Sequence, residues 1–201
     1  QEVENMIVSS ADLSNSDKTD GFIKGGARNL VKGDFSGKFL QAGVAELTMA
    51  AICNGIALHG GIHVACATFF VFSDYMKPAF RLSALMQMPV KYIWTHDAFR
   101  VGEDGPTHQP IEHEAQLRLL EKMQNHAGKM SMLALRPADA AETSVAWKMA
   151  MENTETPTAL VLSRQNINDL PAATDRYTEA LKAEKGAYIV QKNGENPKVI
   201  L

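Results

Sequence analysis

Short apolar runs alternate along this chain with longer stretches of helical spacing. Runs rich in β-branched and aromatic residues predict strands over residues 63–72, 90–94, 130–135 and 158–162, with a shorter apolar run at 6–8. Helical spacing covers 45–58, 74–86, about 110–123, and 139 to about 151. The stretch 45–58 is dense in Ala, Met and Ile and apolar on nearly every side, so it is expected to be buried all round. Ser73 is the predicted N-cap of the next helix, with Met76, Phe80 and Leu82 on its inner face. Asp139 and Glu142 stand at capping-box spacing ahead of a helix whose inner face carries Val145, Ala146, Met149 and Ala150. Residues 9–17 read as a loop, 21–37 as glycine-rich, basic and irregular, and 187–190 as a short strand.

Strands and helices alternating at this spacing predict an α/β fold: a mainly parallel sheet sandwiched between helices, with right-handed crossovers. On that frame Asp12, Ser16, Glu46, Thr68, the segment from His96 to His108, and Arg164 each fall just after a strand. All therefore belong on the carboxyl edge of the sheet, where open α/β folds bind ligands. The polar loop 95–112 is the richest piece, with two histidines, two glycines, two prolines and the acids Asp97, Glu103 and Asp104 ahead of its second proline. Such a loop at that edge is more often functional than structural.

Bulk composition narrows the field. A chain of 201 residues, 45% hydrophobic and 21% charged, can bury one substantial core. A net charge of −3 with no basic run argues against nucleic acid, and no stretch is long and apolar enough to span a bilayer as a helix. Cys53 and Cys66 lack metal spacing and read as buried thiols of a reducing, cytoplasmic protein. Residues 1–171 form the expected domain and 172–201 a connector; the apolar end Val199-Ile200-Leu201 reads as a strand cut in mid-pattern, as in a piece of something longer.

The candidate chemistry leaves alternatives open. Glu46 in a first helical turn is ordinarily a dipole-favoured acid, worth roughly 0.3–1 kcal/mol, although its apolar neighbours should desolvate it. Phe69, Phe70, Phe72 and Tyr75 read as core, or as a stacking face for a flat ligand where they pass the strand end. His96, Asp97, Asp104 and His108 could ligate a divalent metal, as in a metal-dependent phosphohydrolase, but match no zinc spacing. Arg164 could fork a phosphate or carboxylate, or be a surface cation. His59, His63, His113 and His126 read as structural.

The loop from Thr95-His96-Asp97 through Gly102-Glu103-Asp104-Gly105-Pro106-Thr107-His108-Gln109-Pro110-Ile111-Glu112 closely resembles the signature loop of transketolases. Ser10-Ala11-Asp12-Leu13, Gly60-Gly61, Thr68-Phe69-Phe70-Val71-Phe72-Ser73-Asp74-Tyr75, Arg81-Leu82-Ser83-Ala84-Leu85, Arg136-Pro137-Ala138-Asp139 and Leu162-Ser163-Arg164-Gln165-Asn166 extend the likeness in order from about Val8 to Pro171. The part resembled is the family's middle, pyrimidine-binding domain. The resemblance implies ketol transfer between sugar phosphates with thiamine diphosphate bound between two subunits of a homodimer. The first domain of the partner, absent from this chain, would hold the diphosphate and a divalent metal (Mg or Ca), so that no metal ligand is expected here. Glu46 matches the glutamate that hydrogen-bonds the cofactor's pyrimidine ring. Phe69, Phe72 and Tyr75 match residues packed around that ring, and Asp12 a segment approaching the cofactor. Ser16, His96, Asp104, His108 and Arg164 match substrate-holding positions.

Departures accompany the match. Ala45 and Leu47 flank Glu46 where the family has an arginine and an aromatic or histidine; Cys66-Ala67 replaces Gly-Gly, and Arg100 a small or apolar residue. No Gly-Asp-Gly diphosphate motif occurs, so the chain is not expected to catalyse alone. The altered flanks leave a second reading, a non-catalytic dimerisation or binding module. A deoxyxylulose-phosphate synthase or a dehydrogenase β-subunit shares the fold, but the intact loop and the Leu162–Asn166 segment disfavour both.

Overall fold

The computed structural model describes residues 3–195. Six strands, all parallel, form one sheet in the order β2-β1-β3-β4-β6-β5: β1 Met6–Ser10, β2 Phe39–Gln41, β3 His63–Phe69, β4 Lys91–Thr95, β5 Leu133–Leu135 and β6 Thr158–Val161. The crossovers carry α1 Asp20–Lys24, α2 Glu46–His59, α3 Ser73–Leu85, α4 His113–Lys122 and α5 Ala140–Glu152; α6 Arg176–Ala180 follows β6.

The period of two along the strands decides which face each side chain meets. Val64 and Cys66, Tyr92 and Trp94, and Ala159 and Val161 point to one face, where they pack with α2, α3 and α4. Ala65 and Ala67, Ile93, and Leu160 point to the other, against α1 and α5. Buried on both sides, β3, β4 and β6 read as continuous apolar runs, as central parallel strands do. Within the first core, Ser83 of α3 bonds both Asn54 of α2 and the Tyr92 hydroxyl of β4, so these buried polar groups are mutually satisfied.

Several sequence expectations change. The run 63–72 is not all strand: β3 stops at Phe69 and Phe70–Phe72 form a 3-10 turn, which swings the chain into α3. Ser73 is not a cap but the first residue of α3; Phe72 holds the cap position without a side-chain bond. Leu82 is 45% exposed, on the outer face of α3. The helix expected from about 110 begins at His113, leaving Pro110 in the loop, and β5 keeps three residues of the run 130–135. Most of 21–37 is irregular, although α1 forms within it. Residues 187–190 are not a strand, and 199–201 lie outside the described residues.

The largest correction concerns α2, which is not buried all round. It packs through Glu46, Met49, Ala50, Cys53 and Asn54, whereas Leu47, Ile52 and Leu58 are exposed, as is Val44 just before it. Within this chain α2 lies against β3 and α3, and no described element covers its far side.

Asp139 caps α5 as predicted, while Glu142 reaches one residue further back than a capping box requires. Asp139 accepts the Glu142 backbone N–H at 2.8 Å, and the Glu142 carboxylate accepts the Ala138 N–H at 2.8 Å. Arg176 then donates to Asp139 at 2.6 Å and to Glu142 at 2.8 Å, which fastens α6 to the start of α5.

Candidate functional site

The loops leaving β1, β3, β4 and β6 meet at the carboxyl edge and enclose a cleft of about 420 Å³. Ser16, Phe69, His96, Asp104, His108 and Arg164 line it, together with Asn15 and Lys18. A larger cavity of about 560 Å³, between α4, β5 and residues 183–186, shares none of these residues and has no imidazole in its wall. The smaller cleft is the one that gathers imidazoles, a carboxylate and cations.

Phe69, His96 and His108 bring rings to the cleft, and Phe69 heads an aromatic ladder that continues beyond it. Residues three apart eclipse in a 3-10 turn, so Phe69 stacks on Phe72 at 5.6 Å between centroids and Phe72 meets Tyr75 at 5.7 Å. The His96 ring lies 4.0 Å from Phe69, and His108 approaches Phe69 and Phe72 edge-on at 5.9 and 5.4 Å. Phe69 is buried and Tyr75 exposed, so the ladder runs from the cleft toward the surface.

Loop 95–112 places the polar wall. Val101 is buried and anchors it. Gly105, at φ 76° and ψ −174°, takes a conformation L side chains avoid and joins two 3-10 turns, Gly102–Asp104 and Pro106–His108. Across the cleft, Arg164 reaches Asp104 through Nε at 3.3 Å and Glu103 through Nη2 at 3.2 Å. Gln165 donates to the Arg100 carbonyl at 3.1 Å, so the exit of β6 braces the same loop. His96 Nε2 lies 3.9 Å from Asp104. Burial lowers the His96 pKa; Asp104 opposes this, and Arg164, His108 and Lys18 add to it. Its imidazole is therefore neutral at pH 7, with Nδ1 unpartnered among the described residues.

Asp97 faces elsewhere. Its carboxylate accepts the Phe99 N–H at 3.1 Å and an Arg136 N–H at 2.9 Å. The quartet His96, Asp97, Asp104 and His108 is thus not a metal cradle, and the phosphohydrolase alternative loses its ligand set. Among the described residues the one group within metal-ligand reach is Asp74, Glu112 and His113. There the buried His113 ring has Nε2 3.0 Å from Asp74 and contacts Phe70 at 5.7 Å, pinning α4 to α3.

Of the predicted cofactor-binding residues only Phe69 lines the cleft; Glu46, Asp12, Phe72 and Tyr75 do not. Glu46 starts α2, is 7% exposed, and receives no hydrogen bond from a described residue. It shares the carboxyl edge, because Gln41 pairs with Ser10 and Ser10 with Ala67. Asp12 is exposed at φ 64°, just beyond the Ala11 N–H that donates to the Ala67 carbonyl at 3.2 Å. Sequence reasoning missed Lys18 and Asn15, whose loop carries no motif that separates them from solvated turn residues.

A family model described as transketolase, pyrimidine binding domain, matches residues 1–169. A transketolase of Geobacillus stearothermophilus is 48% identical over 201 residues, covering 99% of this chain and 28% of the relative. A crystal structure of Pichia stipitis transketolase in complex with sedoheptulose-7-phosphate superposes with a TM-score of 0.82 at 39% identity, covering 96% of this chain and 27% of that one. A split-gene transketolase described as an inactive β4 tetramer gives a TM-score of 0.61 at 29% identity, covering 86% of this chain and 49% of that one. The chain thus spans little more than a quarter of the first two proteins. On the family match and these identities, the chain belongs to the transketolase pyrimidine-binding domain family.

Proposed function

We propose that this chain is the pyrimidine-binding part of a transketolase, working within a longer dimeric enzyme that moves a two-carbon ketol unit from a ketose phosphate to an aldose phosphate. The observation that carries this reading is the single cleft in which Ser16, His96, Asp104, His108 and Arg164 converge beside stacked aromatic rings. Arginine's planar fork suits the phosphate end. Neutral His96, Asp104 and His108 can bond sugar hydroxyls and hold the reacting carbon in place.

Thiamine diphosphate, when bound, supplies the carbon nucleophile. The chain's own share is to stack its pyrimidine ring on Phe69, Phe72 and Tyr75 and to hold a proton at the Glu46 carboxylate against the ring. The residue is 7% exposed at the first position of α2 and has no hydrogen-bond partner among the described residues, which leaves its carboxylate available to that ring. On the family resemblance we assign the diphosphate and its metal to the first domain of a second subunit. The exposed apolar residues Leu47, Ile52 and Leu58 of α2, with Val44 just before it, support such a partner, because they lie on the uncovered side of the helix that Glu46 begins. The buried free thiols Cys53 and Cys66 support a reducing, cytoplasmic setting.

The expected result is that the full-length protein, with thiamine diphosphate and Mg²⁺, transfers two carbons from xylulose 5-phosphate to ribose 5-phosphate, whereas this chain alone does not. The inactive split-gene tetramer supports the second half of that expectation. A full-length protein that turns over no ketose phosphate would overturn the reading and favour a binding module.

A further inference from the structure

We infer that Lys18 is a second cation at the phosphate end of the cleft and sets the preference for phosphorylated over unphosphorylated sugars. The inference rests on the sugar-phosphate reading above. Lys18 lines the cleft with Ser16 and Arg164, and its ammonium has no ion pair or hydrogen bond among the described residues. Arg164, by contrast, is already shared between Asp104 and Glu103.

Charge decides the matter. Of the charged groups that line the cleft, Arg164 and Asp104 offset each other, with His96 neutral, and Lys18 leaves a net charge of +1; Glu103, 83% exposed, lies outside that lining. A phosphate monoester brings roughly −1.5 to −2 at pH 7. With Arg164 alone it would meet a wall without net positive charge. Lys18 is the free cation in that wall.

The backbone holds Lys18 for this task. Its neighbours Asp17 and Thr19 are buried while Lys18 is exposed. Asp17 accepts the Ser10 hydroxyl at 2.6 Å, and the Thr19 N–H and hydroxyl at 3.0 and 2.6 Å. Ser10 ends β1, so the turn is riveted to the sheet. Lys18 itself sits at φ 65°, a left-handed conformation uncommon for a side-chain-bearing residue outside Asn and Asp, and often seen where position matters. The lysine thus stands on a fixed loop rather than on a loose surface arm.

The test is steady-state kinetics of the full-length enzyme with xylulose 5-phosphate and with erythrulose, an unphosphorylated ketose. Lys18→Asn removes the charge and tolerates the left-handed backbone; Lys18→Arg restores charge; Arg164→Gln serves as comparison. Lys18→Asn is expected to lower the kcat/KM ratio of phosphorylated to unphosphorylated donor about tenfold, mainly through KM, as for lost binding that ground and transition states share. Lys18→Arg is expected to recover most of it. An unchanged ratio in Lys18→Asn, with a fall in Arg164→Gln, would overturn the inference and leave the cleft reading intact. A fall that Lys18→Arg fails to reverse would assign the effect to the backbone and overturn it too. No change in either ratio would remove the phosphate site altogether.

Discussion

Replacing Glu46 by alanine or by glutamine in the full-length enzyme is expected to lower kcat at saturating thiamine diphosphate by about 10²–10⁴, the usual range for a lost proton-transfer group. Glu46 is buried at the first residue of α2, with no described residue occupying its carboxylate. A carboxylate left free there is available to a ligand, and the helix start favours its charge. The fold depends on it little. Glutamine loses only the dipole interaction, roughly 0.3–1 kcal/mol, whereas alanine also loses the packing of the buried side chain. Glutamine keeps the shape and a carbonyl acceptor but cannot hold a transferable proton, so equal loss in both variants separates proton handling from packing. Near-normal turnover in both would remove Glu46 from the chemistry and favour the non-catalytic reading, which Ala45 and Leu47 first suggested.

The second large effect is on stability. Asp139→Ala is expected to destabilise the chain by about 3 kcal/mol in urea, the lower end of the range for breaking a buried ion pair. The Asp139 side chain is fully buried and accepts from three donors: the Glu142 N–H, the Leu170 N–H at 3.0 Å, and Arg176. Its removal uncaps α5 and leaves Arg176, 12% exposed, with Glu142 alone. Burial by itself would raise the Asp139 pKa, but those three donors outweigh it and hold it below the ordinary value. A carboxyl whose folded-state pKa is depressed adds stability above its unfolded pKa of about 3.9 and loses it as pH falls through the folded value. The acid limb of the stability curve should therefore be shallower in Asp139→Asn than in the parent. A loss under about 1 kcal/mol in Asp139→Ala, below the usual worth of a cap alone, would contradict this account of the clamp.

Much of this architecture was legible because its signals are local. β3, β4 and β6 announce themselves as unbroken apolar runs, since helices cover both their faces. The Asp139–Glu142 cap is a short-range pattern and was readable as such. β2 was not, because three residues are too few to show a period. The exposed side of α2 was misread for a different reason: composition tells that a face is apolar, not whether this chain or another molecule covers it. At the site, strand order brought Ser16, His96, His108 and Arg164 to one edge without any contact being known. Asp97 was misplaced among possible ligands because adjacent loop residues point opposite ways. Its partner, Arg136, lies thirty-nine positions downstream. Lys18 was invisible, since its importance comes from what fails to neutralise it.

The central claim is that this domain carries half of a site, with Glu46 and the sugar-holding cleft on one chain and the diphosphate end on another. It is tested most directly by mixed dimers. One subunit would carry Glu46→Ala; the other would keep Glu46 but have a disabled diphosphate-binding domain. Each homodimer should be inactive. If sites are shared across the dimer, the mixed dimer has one doubly impaired site and one intact site, and ketol transfer should return to about half the parent rate by the two-fold symmetry. Mixed dimers that form and yet remain as inactive as the two homodimers would contradict the account.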